Sequence, residues 1–146
     1  MPPSRRARTE RVLPTRRDYA RLLTVRTALR QFERWSADQA AEHNLTASQH
    51  QLLLAIHGHD SDNGPTITEA AEYLLIRHHS AVELVDRTEK AGLVERVRDA
   101  DDHRVVRLRL SSDGEQLLAD LSSAHLEELA RLGPLFESML GTLSSR

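Results

Sequence analysis

Apolar positions along this chain keep two different rhythms. Tyr19, Leu22, Val25, Leu29, Phe32 and Trp35 recur every three or four residues and predict one long helix over 16–42, following Pro14. Asn44-Leu45-Thr46 interrupts the pattern. Thr46-Ala-Ser-Gln49 then has capping-box form, opening a helix that carries Leu52, Leu53 and Ile56 and ends at Gly58. After a polar loop from His59 to Pro65, a second capping-box spacing, Thr66-Ile-Thr-Glu69, starts a short helix reaching residue 74 or 75. A further helix over 78–91 places Ala81, Leu84, Val85 and Thr88 inward, and Gly92 is its expected left-handed stop.

Beyond Gly92 the rhythm becomes alternation, which predicts strands over 93–98 and 104–110. In the second, Val106, Leu108 and Leu110 face one way, and Arg107 and Arg109 the other. Ser112-Asp-Gly-Glu115 opens a Leu-rich helical region, expected to break into two helices at Gly133-Pro134. The predicted fold is mainly α with a small antiparallel β-hairpin.

Two features of this order point toward nucleic acid. Helices over 67–75 and 78–91, separated by a few residues, have helix-turn-helix spacing. The outer face of the second offers His78, His79, Ser80, Val82, Glu83 and Arg87, with Arg77 just before it. Such groups suit hydrogen bonds to base edges, phosphate contacts and a methyl against thymine; an ordinary amphipathic helix with a polar outer face has the same pattern. The second feature is the charged knot between the strands, Asp99-Ala100-Asp101-Asp102-His103-Arg104. A hairpin directly after a recognition helix is the wing of a winged helix, and arginine at its tip suits the negative potential of a narrow minor groove. The neighbouring acids repel phosphate. Asp102, two residues from Arg104, is placed to orient its guanidinium by charge-assisted hydrogen bonds; the alternative is a solvated turn of mixed charge.

Charge distribution adds to this picture more than net charge, which is −2. Residues 1–17 hold six arginines (Arg5, Arg6, Arg8, Arg11, Arg16 and Arg17) against Glu10 alone, a net of +5. Residues 111–146 hold two arginines against six acids, a net of −4. Residues 1–15 thus read as a flexible basic arm, either a phosphate contact or a solvated tail. The 146 residues suit one domain. Cysteine is absent, which excludes disulfides, thiolate metal sites and thiol redox sensing. No apolar run approaches the ~18 residues of a membrane span, and no signal-peptide pattern opens the chain, so the expectation is a cytoplasmic protein without a membrane partner.

From about Leu45 to Leu118 the chain resembles the MarR family of bacterial winged-helix regulators. The matching stretches are "LTASQHQLLLAI", "VELVDRTEKAGLVERVRDADDHRVVRLRLSSDG" and the Leu-rich helix that follows. Most specific is Asp102-His103-Arg104 before the alternating strand and "LSSDG", where the family shows Asp-Arg-Arg and Leu-Thr-x-x-Gly. The resemblance implies a winged helix-turn-helix DNA-binding domain over 45–111, between dimerisation helices over 16–44 and 112–146. It implies a homodimer that binds a palindromic operator in double-stranded DNA as a repressor and is released by a small-molecule effector. Arg104 takes the place of the wing-tip arginine, Asp102 of its supporting acid, and His78, His79, Ser80, Val82 and Glu83 of the groove-facing residues. Trp35, His43 and His57 are loose candidates for an effector crevice; each such residue is more often simple packing. Three departures stand out: His103 replaces an arginine, Arg77 replaces a side chain able to cap the helix, and Thr88 replaces an inward leucine.

A homodimer agrees with the apolar faces of 16–42 and 113–143, too broad for one small core. Leu117, Leu118, Leu121, Leu129, Leu132, Leu135, Phe136, Met139, Leu140 and Leu143 would interleave with the first helix and its symmetry mate. Eight histidines raise the question of metal, but no His-Glu-x-x-His or Cys/His set exists. No cofactor is expected. His43, His50, His57, His59 and His125 read as surface or half-buried groups, whereas His78, His79 and His103 near the DNA face would raise affinity when protonated. No nucleophile elbow, phosphate-cradling loop or paired-carboxylate motif supports an enzyme. The rival readings are a winged helix used only for protein contact and a metal-sensing regulator.

Overall fold

The structure is a computed structural model describing residues 12–141. The basic arm as far as Arg11, Leu143 and the side chain of Leu140 lie outside the described residues. Its order is α1 (Arg16–Glu42), α2 (Ala47–His57), α3 (Ile67–Leu74), α4 (His78–Lys90), β1 (Val94–Arg98), β2 (Val106–Leu110) and α5 (Ser112–Gly141). Among the described residues, five helices carry one two-stranded antiparallel wing, paired from Val94↔Leu110 to Arg98↔Val106.

Local chemistry accounts for the helix starts. Thr15, Thr46 and Thr66 each cap a helix and accept from the amide three residues on, while Asp18, Gln49 and Glu69 reach back to the cap amide. Each box satisfies two otherwise free donors. At the end of α4, Gly92 takes φ +78°, a left-handed conformation that glycine adopts without steric cost. The Ser111 hydroxyl donates to the Gly92 carbonyl at 2.6 Å and accepts from the Gly114 amide at 3.1 Å, joining the end of α4 to the start of α5.

The core lies where α2, α3, α4, the hairpin and α5 meet. Leu52, Leu53 and Ile56 pack with Ala70, Leu84, Val85, Val94, Leu108, Leu118 and Leu121. Thr88 is fully buried in the inward stripe of α4, its hydroxyl donating to the Leu84 carbonyl at 2.7 Å. The long helices are covered differently. Along α1 only Ala28 and Ala40 are buried, while Tyr19, Leu22, Leu23 and Leu29 stand exposed with Leu126, Leu129 and Leu135 of α5.

Three expectations are corrected. Gly133-Pro134 does not split the last helix, because α5 runs through it. Proline removes one amide donor there and crowds the carbonyl four residues back, but the further clash with a preceding Cβ is absent because residue 133 is glycine. His50 is neither a surface nor a half-buried group: it is 5% exposed, buried on the inner side of α2. The strands are also shorter than expected: β1 starts one residue later, at Val94, and β2 starts at Val106 because residues 99–105 fold into a turn closed by the Asp99 amide on the Val105 carbonyl and the Val105 amide on the Asp102 carbonyl, each 2.9 Å.

Candidate nucleic-acid interface

The inward stripe of α4 fixes which residues that helix shows to solvent. With Ala81, Leu84, Val85 and Thr88 buried, His78, His79, Glu83 and Arg87 are exposed, and Ser80 and Val82 are half-buried at the edge. Arg77, exposed at the N-cap, makes no side-chain cap bond, so the first amides of α4 are left without a side-chain acceptor. The opening of α4 is braced on α3 by a long contact of 3.4 Å between His78 Nδ1 and the Thr68 hydroxyl. Behind it, Arg96 of β1 donates to Asp86 at 2.6 Å and to Glu89 at 2.8 Å, tying helix to wing.

The wing tip is organised by its acids. Asp102 accepts from the Arg104 amide at 3.1 Å, from Nε at 3.0 Å and from Nη2 at 3.0 Å, yet the arginine side chain remains 90% exposed. These bonds, first the guanidinium and then the amide, hold the Asp102 carboxyl below its ordinary pKa. Asp99 turns inward. One oxygen accepts from the amides of Asp101 and Asp102 at 2.8 and 2.9 Å, and the other from Arg107 Nε at 2.5 Å. The Arg107 bond above all, then the two amides, lowers its pKa to about 2. His103 is exposed beside Arg104, and its carbonyl accepts from Arg98 at 3.0 Å. Both acids are engaged with protein donors, and the arginine is presented outward.

The three crevice candidates do not come together. His43 Nδ1 bonds the Gln39 carbonyl at 3.1 Å at the end of α1, and His57 is exposed in a separate cleft bordered by the α2–α3 loop and β2. Trp35 packs on His125 with ring centroids 4.7 Å apart. An apolar cleft of about 490 Å³ does open between α1, α2 and α5, lined by Phe32, Ser36, His50, Leu54, His125 and Leu129 among others. His125 Nδ1 donates to the Leu121 carbonyl at 2.7 Å, so Nε2 meets the Ser36 hydroxyl at 2.7 Å, as acceptor when the ring is neutral. The His50 and His125 rings stand edge-on at 4.7 Å. This pair, far apart in sequence, carried no spacing signal. Among the described residues no group of three or more His, Asp or Glu side chains is arranged to hold a metal ion. No helix among them is long and apolar enough to cross a membrane.

Helix-turn-helix, hairpin and outward arginine together define a winged-helix protein. Residues 43–105 match the family model described as MarR family. A HTH-type transcriptional regulator of Bacillus subtilis, YsmB, named as uncharacterised, is 36% identical over 73 residues, covering 50% of this chain and 48% of that protein. The match therefore spans about half of that relative's length. A MarR family protein from Bacillus stearothermophilus shares the fold at TM-score 0.71, with 24% identity over 91% of this chain and 97% of its own. The Staphylococcus aureus MepR–DNA complex is also similar, at TM-score 0.63 and 18% identity over 90% and 96%. Residues 43–105 are thus similar to the MarR family, and the chain as a whole shares the fold of solved MarR family proteins.

Proposed function

We propose that this protein is a homodimeric transcriptional regulator that binds a palindromic operator in double-stranded DNA. The observation that carries the reading is the Arg104 guanidinium, oriented by Asp102 and exposed at the wing tip. A pre-oriented arginine loses less side-chain freedom when it enters a minor groove. Beside it, α4 would lie in the major groove. There Arg77 and Arg87 meet phosphate, and His78, His79, Ser80 and Glu83 are within reach of base edges; Val82 offers an apolar contact, and His103 a second group at the wing.

The exposed leucines of α1 and α5 support the dimer. In a single chain Leu22, Leu23, Leu126 and Leu129 remain in water, an apolar surface of the kind that marks an interface. Residues 16–44 and 112–146 then serve as dimerisation helices and 45–111 as the DNA-binding unit. An isologous contact sets two copies of α4 about one DNA turn apart, ~34 Å. MepR, of the same fold, is described bound to DNA, which supports the same ligand class here. Repression relieved by a small molecule completes the proposal, with the cleft at His50 and His125 as the place where a ligand would alter the spacing of the two α4 helices.

The test is titration of duplex DNA with the purified protein across salt concentrations. Binding whose affinity falls steeply with salt supports the reading, because phosphate contacts release counterions. Failure to bind any duplex at low salt would favour a winged helix used for protein contact.

A further inference from the structure

Arg107 lies on the face of β2 that alternation assigns to solvent, together with the exposed Arg109. It is nonetheless turned in: its side chain is 24% exposed, and that of its partner Asp99 is 10% exposed. Nε donates to Asp99, and Nη1 donates to the Gly64 carbonyl at 3.0 Å, in the loop that leads into α3. The same loop is joined to β2 by the Leu108 amide on the Pro65 carbonyl at 2.8 Å. Asp99 in turn orders the amides of Asp101 and Asp102, and Asp102 holds Arg104. A continuous set of hydrogen bonds therefore runs from the helix-turn-helix, through Arg107 and Asp99, to the wing tip.

We infer that Arg107 is a positioning residue: it fixes the wing-tip arginine relative to the helix-turn-helix, without itself touching DNA. This rests on the DNA-binding reading above. Two of its donors are committed to protein oxygens, and its charge is offset by Asp99, so little remains for a phosphate. Only a planar guanidinium reaches both oxygens in these directions; lysine keeps the charge but loses the fork. Asp99 sharpens the distinction. Replacing it with asparagine removes a negative charge near the phosphates, which by charge alone would tighten binding, whereas loss of the scaffold weakens it.

The experiment uses full-length Arg107→Met, Arg107→Lys and Asp99→Asn, with Arg104→Ala and the double variant R104A/R107M. In the free protein, hydrogen exchange is followed at the Asp101 and Asp102 amides and at Arg104 Nε. Exchange there should accelerate by about tenfold in each folded single variant at Arg107 or Asp99, while the α4 amides stay protected. On a duplex selected by the wild-type protein, each of the three should weaken binding by at least about fivefold, lysine included, and Arg107→Met should add nothing once Arg104 is alanine. Unchanged exchange at the wing tip, wild-type affinity in Arg107→Lys, or tighter binding by Asp99→Asn would each overturn the inference. So would losses that multiply in the double variant. Should Arg107→Met fail to fold, the lysine and Asp99 variants decide. If the wild-type chain binds no duplex, the regulator reading fails by itself, and the exchange rates alone then decide whether Arg107 orders the wing.

Discussion

Asp102 holds the guanidinium of Arg104 through Nε and Nη2, at 3.0 Å each, while nine-tenths of that arginine side chain stays in solvent. An exposed ion pair adds little to fold stability, because water screens it and both side chains lose freedom. Its physical effect is on orientation. The guanidinium is aimed before any partner arrives.

Arg104→Ala should therefore weaken operator binding by roughly tenfold or more, and Arg104→Lys by a similar amount, since lysine keeps charge without the planar fork. Fluorescence anisotropy on the selected duplex checks the affinity, and sedimentation velocity should show the same oligomeric state as wild type. Undiminished affinity in Arg104→Ala would remove the wing from the account.

His50 makes stability depend on pH in the mildly acidic range. Burial, and then the charge that His125 bears when protonated, lowers its pKa below the ordinary histidine value. The unfolded chain, with histidine near ~6.5, thus binds a proton that the folded state resists. Stability from this site is complete above that pH and is lost as pH falls toward the depressed folded value. The melting temperature should drop between about pH 7 and 5, and His50→Gln should flatten that slope even if it lowers the maximum. An identical slope in the variant would contradict the assignment.

Two backbone positions should respond in opposite senses. Leu75 sits in the left-handed region at φ 54°, and the residue is 92% exposed. Leu75→Gly should relieve that strain without losing packing and raise stability by about 1 kcal/mol. Gly64 is also left-handed, at φ 80°, and an added Cβ would lie 2.1 Å from the Leu108 carbonyl oxygen. Gly64→Ala should cost at least about 2 kcal/mol and loosen β2 from the α2–α3 loop. Urea unfolding of the two variants checks both signs.

Leu22 is 60% exposed on α1, although it lies on the apolar stripe that the sequence marks as a packing face. Leu22→Asp should dissociate the dimer at micromolar protein, because burying an ionised carboxylate against apolar surface is costly. Light scattering would show the monomer mass, with the helical content of the wing domain retained. A dimer that persists would place the interface elsewhere.

Local chemistry was legible in the sequence. Thr46 with Gln49, and Thr66 with Glu69, announce helix starts because a capping box needs only its own four residues. The inward stripe of α4, the stop at Gly92 and the Asp102–Arg104 contact are equally short-range. Thr15 and Asp18 offered the same signal at the head of α1, one that the apolar periodicity overshadowed. What escaped depends on distant partners. Alternation put Arg107 in solvent because nothing nearby signals that Gly64, from another loop, supplies its acceptor. His50 and His125 looked scattered because α2 and α5 bring them together only in the folded chain. Gly133-Pro134 suggested a break because proline disfavours a helix interior, yet α5 continues through it, with glycine removing the clash a preceding Cβ would add.

The most direct test of the account is selection of bound fragments from a random duplex library by the full-length protein. The enriched sequences should be palindromic, with half-site centres about one helical turn apart, and affinity for them should fall steeply with added salt and with Arg104→Ala. A library that yields no enriched motif, or a single unpaired half-site bound equally well by the Arg104 variant, would contradict it.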